Sequence, residues 1–415
     1  MVLEYAARLA DGVLARLVAE VPAVLMVGPR AVGKTTTARR VAAHVVRLDR
    51  PAEAAAFRAD PDAALRGLPE PVLLDEWQEV PDVLGAVKRA VDDRPTPGRF
   101  ILAGSVRAHV DTDAWPGTGR LVRVRLLPLC ERELAGRGDG ASMVDVLFDG
   151  PTDLPSRVGA SSELPDLRDY LHQALRGGFP EPALRLVSDD VRAAWTTSYV
   201  DHLVTRDVAS VGETRDPVRL TRYLNVLASN TAGIVDDKTL YDTAGIDRKT
   251  AAAYERLLSE LFVLETAPAW WSNRLKRLTK SGKRYLIDGG LAAGVLGLGV
   301  DAVMADGDVL GRFLDTFVAA QVRAELLTPD RGRLHHLRQE QGRREVDLIV
   351  ERAGRLVGIE VKASAAPDAA DARHLAWLRD EVGERFRAGV VLHTGPGTFE
   401  LGDRLWALPI AALWS

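Results

Sequence analysis

Apolar positions change their spacing from one region of the chain to the next, and the spacing predicts the elements. Residues 2–21 carry apolar side chains at helical intervals, the pattern of an amphipathic helix. The run Ala23-Val24-Leu25-Met26-Val27 is short and uniformly apolar, which predicts a buried parallel strand; residues 36–46 return to helical spacing. Short apolar runs at residues 45–49, 71–76, 99–105 and 121–126 predict further strands, the last with one polar face. Strands alternating with helical stretches over residues 1–135 predict an α/β domain on a parallel sheet.

The period then fades. Residues 136–165 are rich in Gly, Ser, Asp and Pro and read as a linker or long loop. Residues 166–230 form a helical region, with a tight turn at Gly177-Gly178-Phe179-Pro180-Glu181. Within residues 231–295, a short helix over 239–245 ends in Gly245, and Asp247 caps a second over 248–262. Helix, glycine turn, helix is the helix-turn-helix layout. A strand at 263–267 and a hairpin turn at Lys280-Ser281-Gly282-Lys283 extend it to a winged helix. Residues 309–415 read as a separate unit: a helix at 310–327, strands at 333–339, 345–350 and 355–362, a helix at 368–380 and a strand at 389–393. That order, αβββαβ, suits a nuclease-like fold.

The most specific chemistry lies between the first strand and the helix after it. Gly28-Pro29-Arg30-Ala31-Val32-Gly33-Lys34-Thr35, followed by Thr36, fits GxxxxGK[ST] at every fixed position and has the strand–loop–helix context the motif requires. Such a loop turns backbone N–H groups toward phosphate, and the helix adds the positive end of its dipole. Lys34 is placed to reach the β- and γ-phosphates of ATP, and Thr35 to place its hydroxyl on Mg²⁺. The run at 71–76 ends in Asp75 and Glu76, at a strand end, where open α/β sheets hold their ligands. Asp75 is the candidate to position the metal, and Glu76 to polarise the attacking water. Ser105, at the end of the run at 99–105, is the candidate γ-phosphate sensor. Arg120 and Arg125 are candidates either for phosphate contact or for an exposed strand edge.

Composition narrows the setting. The chain has 415 residues, 47% hydrophobic and 27% charged, which fits a soluble protein of several domains. Its one cysteine, Cys130, excludes an internal disulfide and a cysteine-based zinc site and suits a reducing cytoplasm. No apolar run is long enough to span a bilayer, and no secretory signal is evident, so no membrane partner is expected. A net charge of −4 gives no global basic field, so any nucleic-acid surface is local. One such surface is visible: Arg274, Lys276, Arg277, Lys280, Lys283 and Arg284 crowd the hairpin with no acid among them. They are the candidate contacts to double-stranded DNA. A charged solvated edge would give the same pattern.

In the C-terminal unit, Asp347 and the Glu360-Val361-Lys362 triplet suit metal-assisted phosphodiester hydrolysis. Side chains two apart on a strand share a face, so Glu360 and Lys362 lie together. Asp347 and Glu360 are candidates for a divalent cation, Lys362 for steering water, and Glu345 for assistance. A further acid from the helix at 310–327 is either Asp315 or Glu325.

Together these motifs resemble a family of bacterial and archaeal AAA+ ATPases. The resemblance rests on residues 28–35, Leu73-Leu74-Asp75-Glu76-Trp77-Gln78 and Ile101-Leu102-Ala103-Gly104-Ser105. It continues through the turn at 177–181, Thr205-Arg206-Asp207-Val208, Lys283-Arg284-Tyr285-Leu286-Ile287-Asp288, and residues 345–362. The family's C-terminal half is an uncharacterised domain with a winged helix and a PD-(D/E)xK-like fold. The resemblance implies ATP binding and hydrolysis with Mg²⁺ and suggests contact with nucleic acid. Trp77 stands where the family usually has a smaller aliphatic residue. Asp315 and Gln321 stand where it usually has glutamates, which weakens the case for an active nuclease. The leading expectation is an ATPase that binds double-stranded DNA through the winged helix and C-terminal domain. A second copy of the chain supplying an arginine would make it a homo-oligomer. The alternatives are an ATP-gated metal-dependent nuclease and a signalling-type ATPase switch with a protein partner and no DNA.

Overall fold

The computed structural model describes residues 5–104, 119–150, 154, 164–207, 216–271, 281–339 and 342–415. Its first layer is a five-stranded sheet of β1 (Ala23–Val27), β2 (His44–Arg47), β3 (Val72–Asp75), β4 (Phe100–Gly104) and β5 (Leu121–Arg125). The order is β2-β3-β4-β1-β5, with every pairing parallel. β4 therefore lies between β1 and β3, and all three strands deliver their C-terminal ends to one edge. Alternate residues face opposite layers. Val24 and Met26 pack with Leu14 of helix Leu9–Glu20, while Leu25 and Val27 belong to the cluster holding Val83 and Val87 of helix Val83–Asp93. Trp77 is fully buried in that second cluster, so the large residue in the Asp75-Glu76-Trp77 run fills core volume.

Two expectations need correction here. The helix at 36–46 is only Lys34–Ala38, because His44 and Val45 already pair with Val72 and Leu73 of β3. The two-valine run is better suited to a ladder than to a helix. The linker contains a capped helix, Met143–Asp149. Ser142 accepts from the Asp145 N–H at 3.1 Å while Asp145 accepts from the Ser142 N–H, and Met143, Val144, Leu147 and Phe148 are buried. The surrounding Gly and Asp content masked that pattern.

The helices Leu167–Arg176, Asp189–His202, Pro217–Ser229, Asp237–Ala244, Arg248–Glu260 and Gly289–Leu296 gather around an antiparallel pair, β6 (Leu264–Ala267) and β7 (Lys283–Leu286). Next come helix Gly307–Glu325, then β8 (Arg333–Gln339), β9 (Arg344–Arg352), β10 (Arg355–Val361), helix Arg373–Val382 and β11 (Phe386–His393). β12 (Phe399–Gly402) and β13 (Leu405–Pro409) complete a six-stranded sheet ordered β12-β13-β11-β10-β9-β8. β8, β9 and β10 pair antiparallel, and β10–β11 and β11–β13 pair parallel.

This last region is not packed as a separate unit. One buried cluster contains Leu171, Tyr223, Leu224, Leu258 and Tyr285 from the middle of the chain. The same cluster contains Phe313, Leu314 and Val318 of helix Gly307–Glu325 and Val350, Val357 and Val390 of the sheet. Helix Arg373–Val382 covers the other face through Leu375 and Leu378. Burying apolar side chains stabilises by about 1.5–3 kcal/mol each, so a shared cluster of this kind locks the two regions together.

Candidate functional sites

The nucleotide-binding loop joins β1 to helix Lys34–Ala38 and curls tightly. A Cβ on Gly28 would collide with the Leu126 carbonyl, so only glycine fits where the loop leaves β1. Behind the loop, the buried Arg8 guanidinium donates to Val32 O at 3.1 Å, to Leu127 O, and to Glu133 at 3.1 Å. Lys34 is 6% exposed and donates to Gly28 O at 3.1 Å and Pro29 O at 2.8 Å, spanning its own loop. Thr35 Oγ1 donates to Asp75 Oδ1 at 2.8 Å, which joins the loop to the end of β3 across 40 residues of sequence. Burial raises the Asp75 pKa, against the lowering effect of the Thr35 hydrogen bond. A cation at this place would reverse that penalty, and hydroxyl plus carboxylate is an oxygen donor pair suited to Mg²⁺. Glu76 has φ +51, in the left-handed region, and its carboxylate accepts from Gln78 Nε2.

The cleft over the loop is about 760 Å³ and is not closed by the first domain alone. Arg30, Lys34, Thr35, Thr36 and Glu76 line one side; Pro180, Leu184, Arg185 and Trp195 of the helical region line the other. The tight turn expected at 177–181 is also the start of this wall. The signal was the Gly-Gly-Phe-Pro-Glu run itself. Gly178 O accepts from Leu129 N at 2.6 Å, and a Cβ on Gly178 would collide with the Leu129 carbonyl. The buried Asp288 accepts from Gly178 N at 2.6 Å while capping helix Gly289–Leu296 through Leu291 N at 3.0 Å. The loop that walls the cleft is thus pinned between the segment after β5 and the residue that ends the Lys283-to-Asp288 motif.

The other phosphate candidates separate from this site. Ser105 lies outside the described residues. Arg120 pairs with Asp92, and Arg125 donates to Glu265 of β6 at 2.8 Å, so neither faces the loop.

The C-terminal candidates do converge. Asp347 of β9, Glu360 of β10 and Asp315 of helix Gly307–Glu325 meet in one centre, and Lys362 lies 3.6 Å from Glu360. Asp315 is the helix acid of this centre. Glu325 instead forms a buried pair with Arg132 at 3.0 Å, and Gln321 accepts from Glu131 N at 2.7 Å, so both belong to the joint with the first domain. Glu345 sits at the rim, 3.7 Å from Arg338.

The DNA candidates need correction. Arg274, Lys276, Arg277 and Lys280 lie outside the described residues. Lys283 and Arg284 are in β7, not on an exposed wing. Lys283 is 3% exposed and bonded into the Asp315–Asp347 centre. Arg284 donates to Glu255 at 2.8 Å, to Asp237, and to Val235 O at 3.1 Å. Pairing with β6 turns these cations inward, against acids that are far away in sequence. On helix Arg248–Glu260 the exposed cations are instead Arg248, Lys249 and Arg256, beside exposed Ala252. Their spacing places them along one stretch of helix surface. Asp247 caps that helix through Thr250 N at 3.0 Å, and Asp236 caps the one before it through Thr239 N at 3.0 Å.

Comparison with known proteins follows the same division. Residues 20–135 match a family described as an AAA domain, residues 167–302 a domain of unknown function (DUF8612), and residues 310–413 another (DUF4143). Uncharacterised proteins of Mycobacterium tuberculosis and Mycobacterium bovis are 28% identical over 401 residues, covering 95% of this chain and 82% of theirs. Among solved structures, a Walker-type ATPase of Pyrococcus abyssi is similar over 69% of this chain and 94% of its own, at 14% identity. Its TM-score of 0.40 is below the level at which a shared fold follows. The AAA match and the loop geometry make residues 20–135 a P-loop ATPase domain of the AAA type. Among the described residues, no helix is long and apolar enough to cross a membrane.

Proposed function

We propose that the protein is a Mg²⁺-dependent ATP hydrolase that contacts double-stranded DNA through the helix-turn-helix region of its middle domain. The observation that carries the ATPase reading is the Thr35–Asp75 hydrogen bond of 2.8 Å beneath a loop whose lysine lies buried in the cleft. The P-loop amides and Lys34 bind the phosphates. Thr35 and Asp75 would hold the metal, which would supply charge to neutralise the phosphates. Glu76 takes a proton from the attacking water onto its carboxylate as the water oxygen bonds to phosphorus and the bond to the bridging oxygen breaks. Gln78 fixes the Glu76 carboxylate through its amide. Arg30 and Arg185 bring positive charge to the cleft from within one chain. An arginine from a second copy would add to it.

Contact of the nucleotide with Arg185 and Trp195 gives the bound state a handle on the helical region. Gly178 and Asp288 connect that region to β7 and the shared core. The DNA reading is supported by the exposed cations of helix Arg248–Glu260, a helix-turn-helix second helix with a small residue, Ala252, between them. The joint variant Arg248→Ala with Arg256→Ala is expected to weaken binding to labelled duplex DNA. If each arginine contacts one phosphate, the slope of log K against log salt should flatten by about 2, at about 0.9 per contact. Fluorescence anisotropy over a salt series measures both. An unchanged slope and affinity would remove this helix from the interface. Absence of any binding to duplex DNA at low salt would favour the switch with a protein partner.

A further inference from the structure

The centre formed by Asp315, Asp347 and Glu360 has a chemical problem that only a cation or a proton solves. The three side chains, Asp315, Asp347 and Glu360, are largely out of solvent, at 11%, 21% and 6% exposure. Three ionised carboxylates in such a space repel one another and lose hydration. Asp315 is pushed up to about 7 by burial, against the pull of Lys283, and Glu360 is raised well above the usual carboxylate range by burial and by Asp347. Asp347 is held low, because the Lys283 charge and the Val361 N–H outweigh its burial.

Two of the three carboxylates are already bridged by Lys283. Asp315 Oδ2 accepts from Lys283 Nζ, and Asp315 Oδ1 from Tyr285 OH at 3.1 Å. Asp347 Oδ1 accepts from Lys283 Nζ at 3.2 Å, and Asp347 Oδ2 from Val361 N at 3.0 Å. Glu360 Oε2 lies 3.6 Å from Lys362, Glu360 Oε1 is buried, and Lys283 bonds neither. A hard divalent cation is bound by about six oxygens, with carboxylates as its protein anchors. The Lys283 ammonium, bonded to both Asp315 and Asp347, occupies the place between them and repels a second cation there. The residues present therefore do not fit the metal that a PD-(D/E)xK-like domain implies, for as long as Lys283 stays where it is.

We propose that Lys283 is the resident cation of this centre, filling with its ammonium the place of a catalytic metal. The C-terminal region is then a metal-free clamp on β7 and not a nuclease. The strand order fits this role. Lys283 comes from the middle of the chain, while its partners come from a helix and a strand of the C-terminal region. One buried lysine thus ties two regions that already share a core. Glu360 is the carboxylate that Lys283 does not bond, since one ammonium cannot reach all three.

Mn²⁺ alone, added to nucleotide-free full-length protein and followed by electron paramagnetic resonance of the free ion, tests this. Wild type and Glu360→Gln are expected to give the same titration. Lys283→Met is expected to gain a saturable Mn²⁺ site at least tenfold tighter than anything in wild type, lost again in the Lys283→Met, Glu360→Gln double variant. Its melting temperature should fall in chelator and recover with Mn²⁺. A wild-type site lost in Glu360→Gln would overturn the proposal, because metal and lysine would then coexist. So would a folded Lys283→Met protein that gains no site. If Lys283→Met does not fold, the comparison of wild type with Glu360→Gln decides alone.

Discussion

Glu76→Gln is expected to keep ATP binding and to lower turnover by about 100- to 10,000-fold, the range for loss of a positioned general base. The amide has nearly the same size and still meets Gln78, so the backbone at Glu76, already held at φ +51, has no new cause to move. What disappears is a group able to accept the proton of water. Asp75, one residue earlier, is engaged with Thr35 and does not replace it. Binding of a fluorescent ATP analogue and steady-state phosphate release, measured on the same preparation, separate the two steps. A loss of affinity as large as the loss of turnover would mean that Glu76 serves the shape of the site and not the proton transfer.

Arg132→Leu is expected to destabilise the protein by about 3–5 kcal/mol, the cost of leaving one member of a buried ion pair alone. Arg132 and Glu325 are 8% and 9% exposed, with Nη1 at 3.0 Å from the carboxylate. Arg132 also donates to Arg137 O at 2.8 Å and Gly140 O at 2.9 Å. Burial already raises the Glu325 pKa against the pull of Arg132, so the carboxylate left behind has to take up a proton or draw in water. The pair joins the segment after β5 to the last turn of helix Gly307–Glu325, so the loss should appear as early release of the C-terminal region. Arg89→Ala is the control, because Arg89 and its partner Asp62 are both exposed and such pairs contribute little. Denaturant titration with tryptophan fluorescence and limited proteolysis compares them. Equal stabilities for the two variants would show that the Arg132–Glu325 joint does not hold the regions together.

The ATPase domain was legible because its signals are local. The apolar run of β1, the loop at 28–35 and the acids at 75–76 each occupy a few consecutive residues, and parallel pairing brings them together. The αβββαβ succession was readable from period alone. What the sequence hid depends on contacts across long separations. Lys283 and Arg284 read as a basic wing, because residues 266–287 hold no acid. Their partners are Asp315, Asp347 and Glu255. Glu325 and Asp315 could not be told apart on one helix, since only tertiary packing sends one to Arg132 and the other to Lys283. Trp195 and Arg185 carried no phosphate-site signal, and it took the Gly178–Leu129 contact to bring them to the cleft.

The measurement that bears most directly on this account is phosphate release from ATP with Mg²⁺ by wild type beside Lys34→Ala. The wild type should turn over ATP, and Lys34→Ala should fall about 100- to 1,000-fold, the usual loss when one group that stabilises transition-state charge is removed. Equal rates in the two proteins, or no release by a wild type that is folded and saturated with nucleotide, would contradict it.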